Sequence, residues 1–379
     1  MEHTPDQRWQ AALEHSHYLR NLLNNHPALI PELLASWTQP LSEDILLAPL
    51  KQAFADDDAV RIALRRLRQR AMAHIALRDL CGLAPLGEIV ESMTMLADVT
   101  TNFALDFYHR QLVTTYGEPL DKAGQPQRLL IIGMGKLGGR ELNVSSDVDY
   151  IFVYPEEGDT AGPRSVENFD FFTRLGKRII GALGDLTADG QVFRVDMRLR
   201  PNGDSGPLVC SLDALENYFI TQGREWERYA WIKSRVMNAG PNADGAALGA
   251  WMLALRRISR PFVFRKYLDF GAINAMRDLH AQIRREVARK DKVGHVKLGP
   301  GGIREVEFIA QVFQLIRGGR DPSLQIRPTL SVLKLLAERK LIPSETEREL
   351  REAYVFLRRV EHRLQYVEDK QTHTLPEDD

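Results

Sequence analysis

Cysteine is nearly absent: Cys81 and Cys210 are the only two among 379 residues, far apart and without metal-ligand spacing. That excludes a disulfide framework and a thiolate metal site, and it suits a cytoplasmic protein with reduced thiols. No apolar run approaches the roughly 18 residues needed to span a membrane. The N-terminus, Met1-Glu2-His3-Thr4-Pro5-Asp6, lacks the charged and apolar regions of a secretory leader. Charge of one sign is also missing, since the formal net charge is −1. Nothing global therefore marks a nucleic-acid binder or a membrane-surface protein, and neither is expected as a partner. The basic runs Arg65-Arg66-Leu67-Arg68-Gln69-Arg70 and Arg256-Arg257-Ile258-Ser259-Arg260 lie in helical patterns and read as solvated helix faces. The ten histidines are scattered without ligand spacing and carry no assigned chemistry.

What is present is an ordinary globular composition, 44% hydrophobic and 27% charged, on a chain long enough for two or three domains. Residues 7 to about 115 are helical in pattern, with long amphipathic stretches from Asp57 to Cys81 and from Leu86 to Leu112. Gly117 to Gln127 reads as a linker. From Arg128 the rhythm becomes strand and helix, with strands expected over Arg128–Gly133, Val148–Tyr154 and Gln191–Leu199 and a helix over Ser165–Leu186. Beyond Leu212 the patterns are helical to about Lys370. The ending, Pro376 followed by Glu377-Asp378-Asp379, has no capping signal, so the chain reads as truncated. The expected fold is α+β and mostly helical. A mixed α/β core at 116–215 is flanked by helical domains at 1–115 and 216–379.

The most informative stretch follows the apolar run Leu129-Leu130-Ile131-Ile132. Gly133, Gly135 and Gly138 form a glycine turn with Lys136 inside it, Gly139 follows, and Asp147 and Asp149 stand at the head of the next strand. Side chains alternate along a strand, so these two acids share a face. Side by side they repel unless a cation lies between them, and hard oxygen ligands suit Mg²⁺. The glycines also match a dinucleotide-binding fingerprint, but that requires a single acid about twenty residues further on. A ligand-free glycine turn opening a helix is the plainer alternative.

Metal-assisted phosphoryl or nucleotidyl transfer wants a third carboxylate on a neighbouring strand. Asp196 fits, in a stretch where Val195, Met197 and Leu199 alternate with Asp196, Arg198 and Arg200. One face is then apolar, and the other carries an acid and two guanidinium groups; a solvated edge strand is the alternative. In the transfer reading Lys136 would meet a phosphate oxygen, and Arg198 and Arg200 would clamp phosphates. Ser145 and Ser146 could bind a phosphate or cap a turn. The stretch from Trp226 to Arg235 is aromatic and basic at helical spacing; it reads as a core-lining stripe from which Lys233 and Arg235 could reach a nucleotide. Glu305 and Glu307 follow a glycine turn and stand on different faces of a helix, so at most one faces a cleft.

Four blocks together resemble the glutamine synthetase adenylyltransferase family, the bifunctional enzymes that adenylylate and deadenylylate glutamine synthetase. They are Gly-Lys-Leu-Gly-Gly-Arg-Glu-Leu-Asn-Val-Ser-Ser-Asp-Val-Asp (135–149), Arg-Val-Asp-Met-Arg-Leu-Arg-Pro (194–201), Trp-Glu-Arg-Tyr-Ala-Trp-Ile-Lys-Ser-Arg (226–235) and Lys-Leu-Gly-Pro-Gly-Gly-Ile-Arg-Glu-Val-Glu-Phe (297–308). Family members look like two nucleotidyltransferase units in tandem; this chain holds one and looks like the N-terminal, deadenylylating half. The resemblance implies removal of AMP from an adenylylated tyrosine of glutamine synthetase, with inorganic phosphate attacking and ADP as product. It implies metal ligation by Asp147, Asp149 and Asp196. The residue types themselves make Gly135, Lys136, Gly138, Gly139, Ser145, Ser146, Arg198, Arg200 and Lys233 the expected phosphate or substrate contacts. The PII signal protein and glutamine are implied effectors, tied to no residue. Forward adenylylation belongs to the other half, and a nucleotidyltransferase with a different acceptor is the alternative.

Overall fold

A computed structural model describes residues 5–238, 245–266 and 294–376. Five strands form one mixed sheet: β1 (Leu130–Gly133), β2 (Val148–Tyr154), β3 (Val195–Asp196), β4 (Val209–Ser211) and β5 (Arg235–Val236). β1 pairs antiparallel with β2 on one side and β5 on the other. The opposite edge of β2 takes two short parallel partners in succession, β3 at Val148 and Asp149 and β4 at Phe152 to Tyr154.

The apolar runs of β1 and of Tyr150–Tyr154 in β2 follow from burial on both faces, because alternate residues feed two cores. Leu129, Ile131, Tyr150, Phe152 and Tyr154 join the core built with the N-terminal helices. Leu130, Ile132, Ile151 and Val153 join the core built with Leu215, Phe219, Trp231 and Phe262. The sheet is thus the middle layer between two helical bodies.

On the first face lie the long helices Asp57–Leu80 and Leu86–Tyr116, the former capped by Asp56, whose carboxylate accepts from Ala59 N–H at 2.8 Å. The helix Asn168–Gly184 lies against the same face, burying Phe171, Phe172, Leu175, Ile179 and Leu183. Gly176 brings its backbone onto the sheet: a Cβ there would stand 2.8 Å from the Phe152 ring. On the second face are Leu212–Thr221, Glu225–Trp231 and Gly245–Val263, joined by Leu315 of Ile303–Arg317. Thr329–Glu338 packs with Ile303–Arg317 and Tyr354 in a further core, and Ser344–Tyr366 runs from that core to the first, where Tyr366 is buried. Among the described residues no helix is long and apolar enough to cross a membrane.

The expected strand Gln191–Leu199 is cut to Val195–Asp196. The Asp196 carboxylate accepts from the Arg198 N–H two residues on, at 2.8 Å, and the Arg200 N–H closes a turn onto Met197 O at 3.2 Å. The single apolar face expected there is therefore split, with Val195 and Met197 packing on the first core and Leu199 on the second. The expected helix to Arg235 stops at Trp231, and the chain then adds β5, so the sheet reaches beyond 116–215. The helical expectation for 216–370 falls partly on 239–244 and 267–293, and the ending on 377–379, all outside the described residues.

Candidate active site

The glycine turn sits over the head of β2 because glycine meets two separate demands there, a left-handed backbone at one position and close packing at another. Gly135 has φ +56°, and a Cβ there would lie 3.6 Å from Asp149 Oδ2. A Cβ on Gly138 would stand 1.8 Å from the carbonyl oxygen of Lys233. The turn is thereby pressed between the acid-bearing strand and the segment leading into β5.

Asp149 and Asp196 are directly registered neighbours on parallel strands, and Asp147 precedes Asp149 by two residues. All three line one cavity of about 640 Å³, with Gly135 and Lys136 from the turn. The third carboxylate is thus beside the other two. Burial, then the negative charges of Asp196 and Asp147, push the Asp149 carboxyl up to about 7. A carboxylate so destabilised is the electrostatic signature of a place that favours a cation.

Arginines hold the outer two acids. Arg194 Nε donates to Asp147 Oδ1 at 2.5 Å while its other arm donates to Ser145 O at 2.6 Å. The Arg198 guanidinium caps both oxygens of Asp196 and keeps that carboxyl below its usual range. Its side chain is 73% exposed, so it can swing away at little cost. Among the described residues no group of three or more His, Cys, Asp or Glu side chains stands in an arrangement that could hold a metal ion. The donor chemistry nevertheless fits Mg²⁺. The charged form of Asp149 is disfavoured by burial and by the two acids beside it, and Arg194 engages Asp147 through Oδ1.

Lys136 projects into the cavity with Nζ 3.4 Å from both oxygens of Glu361, a wholly buried residue of the Ser344–Tyr366 helix. Burial dominates and pulls its ammonium down to about 8. Burial opposes the charge on Glu361, but Lys136, His373 and Arg358 prevail and hold that carboxyl well below its ordinary range. Lys233 also lines the cavity, yet its Nζ is engaged at 2.6 Å by Glu141 Oε2 and at 2.8 Å by Thr329 Oγ1. The Glu141 carboxylate in turn accepts from Thr329 N–H at 2.7 Å.

The remaining expected residues divide. Ser146 and Arg198 line the cavity. Ser145 is buried, and its hydroxyl donates to Asp369 Oδ1 at 2.5 Å, tying the loop to the chain beyond the last helix. Arg200 turns to Met197 O at 2.8 Å and to Asp204. Gly138 and Gly139 shape the turn beneath. Trp226 and Tyr229 face the cavity, whereas Trp231 packs into the second core. Glu307 faces it and Glu305 turns back to Gly301 N–H. Arg235 lines a different cavity.

Several lining residues carry no sequence signal. His295, Gln371 and His373 complete the wall, with His373 Nδ1 2.9 Å from Glu361 Oε1. They arrive from the far end of the chain, and no spacing announces them. Lys297 and Arg304 also line the wall and stand inside the fourth block, where a signal did exist.

The cavity brings together a glycine turn, a lysine and three acids at the heads of paired strands, a grouping suited to chemistry on a nucleotide phosphate. Residues 7–249 match the family model described as glutamate-ammonia ligase adenylyltransferase, and residues 277–379 match one described as GlnD PII-uridylyltransferase. The chain is 59% identical over 364 residues to a bifunctional glutamine synthetase adenylyltransferase/adenylyl-removing enzyme from Aromatoleum aromaticum, covering 96% of this chain and 38% of the relative. Enzymes of the same name from Nitrosomonas eutropha and Chromobacterium violaceum are 53% and 54% identical over 371 and 372 residues, covering 96% of this chain and 39% and 40% of themselves. The chain belongs to the glutamate-ammonia ligase adenylyltransferase family. It spans about two fifths of the length of these curated relatives.

Proposed function

We propose that this chain removes AMP from the adenylylated tyrosine of glutamine synthetase by phosphorolysis. An oxygen of inorganic phosphate forms a bond to the adenylyl phosphorus, the bond to the tyrosyl oxygen breaks, ADP leaves, and the phenolate takes up a proton. The observation that carries the reading is the register pairing of Asp149 with Asp196, with Asp147 and Lys136 at the same cavity. The names of the relatives support the protein substrate, and the block at 297–308 supports the adenylyl-removing direction.

Asp147, Asp149 and Asp196 would hold Mg²⁺, which when bound supplies neutralising charge for the phosphates. Lys136 adds a fixed positive charge at the turn, buttressed by Glu361 so that it does not collapse onto the acids. Arg198, once released from Asp196, is free to bind a phosphate bidentately. Trp226 and Tyr229 supply apolar surface where a purine can stack. A phenolate is a fairly good leaving group, so the reaction needs no strong general acid. PII signal protein and glutamine would act as effectors of this activity.

The test is to incubate adenylylated glutamine synthetase with this chain, phosphate and Mg²⁺ and to follow ADP. No ADP, or full activity in Asp147→Asn, overturns the assignment. The match of residues 277–379 to the uridylyltransferase model favours a second reading, transfer to or from another acceptor. Preference for uracil over adenine nucleotides would select it.

A further inference from the structure

A second concavity, of about 720 Å³, lies on the other side of the segment that runs into β5. Trp231, Ile232 and Ser234–Met237 form its wall, whereas Tyr229, Ala230 and Lys233 of the same segment face the acid-lined cavity. The two hollows therefore stand back to back across a few residues. The volume falls within the roughly 300–1,000 Å³ of small-molecule sites.

Its charge is unbalanced. Five arginines line it (Arg140, Arg235, Arg256, Arg260 and Arg327) against three acids, Glu43, Glu91 and Asp98. Glu91 and Asp98 are committed to Arg140, and Asp98 also holds Arg235 at 2.8 and 3.1 Å. Among the described residues Arg256 and Arg260 make no ion pair, and Arg327 donates only to the carbonyl oxygen of Ser234. Burial, and then the positive charges of Arg235 and Arg256, hold the Arg327 guanidinium below its ordinary range. Among the described residues, positive charge thus outnumbers negative around this hollow, and Arg256, Arg260 and Arg327 have no carboxylate partner. Trp231, Met252, Leu255 and Phe264 give the same hollow an apolar side.

We propose that this second cavity binds a small organic polyanion, a dicarboxylate or a phosphate ester, through Arg256, Arg260 and Arg327. Guanidinium forks match planar carboxylate and phosphate oxygens, and the apolar wall takes the carbon skeleton. The site is placed to be felt at the other cavity. Arg235 donates to Leu137 O of the glycine turn at 3.2 Å, and Arg327 holds the carbonyl next to Lys233. An anion that draws Arg327 towards itself loosens its hold on the Ser234 carbonyl, next to the Lys233 backbone against which Gly138 of the turn is packed. That last consequence rests on the catalytic reading above; the binding does not.

Calorimetric titration of the protein with glutarate and, separately, with phosphoglycerate tests it, the two arms distinguishing carboxylate from phosphate recognition. Saturable binding of at least one probe is expected in the wild type and in Lys136→Met, which alters only the acid-lined cavity. The Arg256→Met/Arg260→Met variant, changed at two exposed side chains that form no ion pair among the described residues, is expected to bind at least tenfold more weakly with an unchanged thermal melt. No saturable binding of either probe, binding unaltered in the double variant, or binding lost in Lys136→Met overturns the proposal. ADP release in the presence of the bound probe then reads the coupling separately, so failure of the catalytic reading leaves the binding result standing.

Discussion

Lys233→Met separates a substrate-binding lysine from one that holds the cavity together. Its Nζ lies 2.6 Å from Glu141 Oε2, 2.8 Å from Thr329 Oγ1 and 3.8 Å from Glu307 Oε1, in a pocket where its side chain is only 5% exposed. Burial works against its charge, yet the pKa is raised, because Glu141 and Glu307 outweigh burial. Truncation leaves two acids facing each other without their cation, a loss of about 3–5 kcal/mol for a broken buried pair. Against a typical total of roughly 5–15 kcal/mol that is a large share. Urea unfolding should show the midpoint falling with little change in slope, and Lys233→Met/Glu141→Gln should recover part of the loss. The pH dependence has a definite sign. The raised pKa of Lys233 gives stability that is full below the unfolded value of about 10.4 and is lost as pH climbs through the higher folded value. Glu307, held low despite burial chiefly by Lys233, gives stability that is present above its unfolded value and lost as pH falls through the folded one. A loss below about 1 kcal/mol, the range of exposed pairs, or a double variant equal to the sum of the singles, would refute this reasoning.

Gly138→Ala, whose Cβ would stand 1.8 Å from Lys233 O, should cost at least the roughly 1–3 kcal/mol of an overpacked core and lower the thermal midpoint. Mg²⁺ at a hundred times its dissociation constant should raise wild-type stability by about 2.7 kcal/mol, and Asp149→Asn should abolish the rise; an equal rise in the variant would remove the metal from this site. The same variant should lose more activity than the roughly 10–100-fold that a residue supporting a metal contributes. Because Lys136 is pulled down to about 8, its charge is present below that pH and disappears above it. The KM for phosphate should climb by up to about tenfold per unit above pH 8 in the wild type and stay flat in Lys136→Met, as read from initial rates of ADP formation. Folding stability attached to Lys136 runs the opposite way, increasing between about pH 8 and its unfolded value, since only the unfolded chain still holds that proton there.

The parts legible in the sequence are those fixed by short-range pattern. The apolar runs of β1 and β2, the long N-terminal helices and the Asp-x-Asp at the head of β2 are all short-range signals, and they stand where the pattern puts them. β3 was overdrawn because alternation continues past Asp196, while the actual chain turns on the Asp196–Arg198 contact, which no periodicity encodes. β5 was missed because two residues of strand after an aromatic helix leave no pattern at all. Lys136 was legible as a cavity residue, but its partner Glu361 lies 225 residues away. Such a pairing is set by how the last helix docks, through Arg358 onto Glu141 O and Asn143, and by nothing local.

That docking has a consequence for dissection of the molecule. The loop carrying the acids is clasped from behind by Arg358, Gln365 and Asp369, and the lysine in the turn leans on Glu361. Excising residues 116–238 as a minimal catalytic module would strip away this clasp and leave Lys136 without its anchor. Segmental labelling or split-protein work on this chain should accordingly keep the stretch from Ser344 to Pro376 joined to, or co-expressed with, the strands it braces.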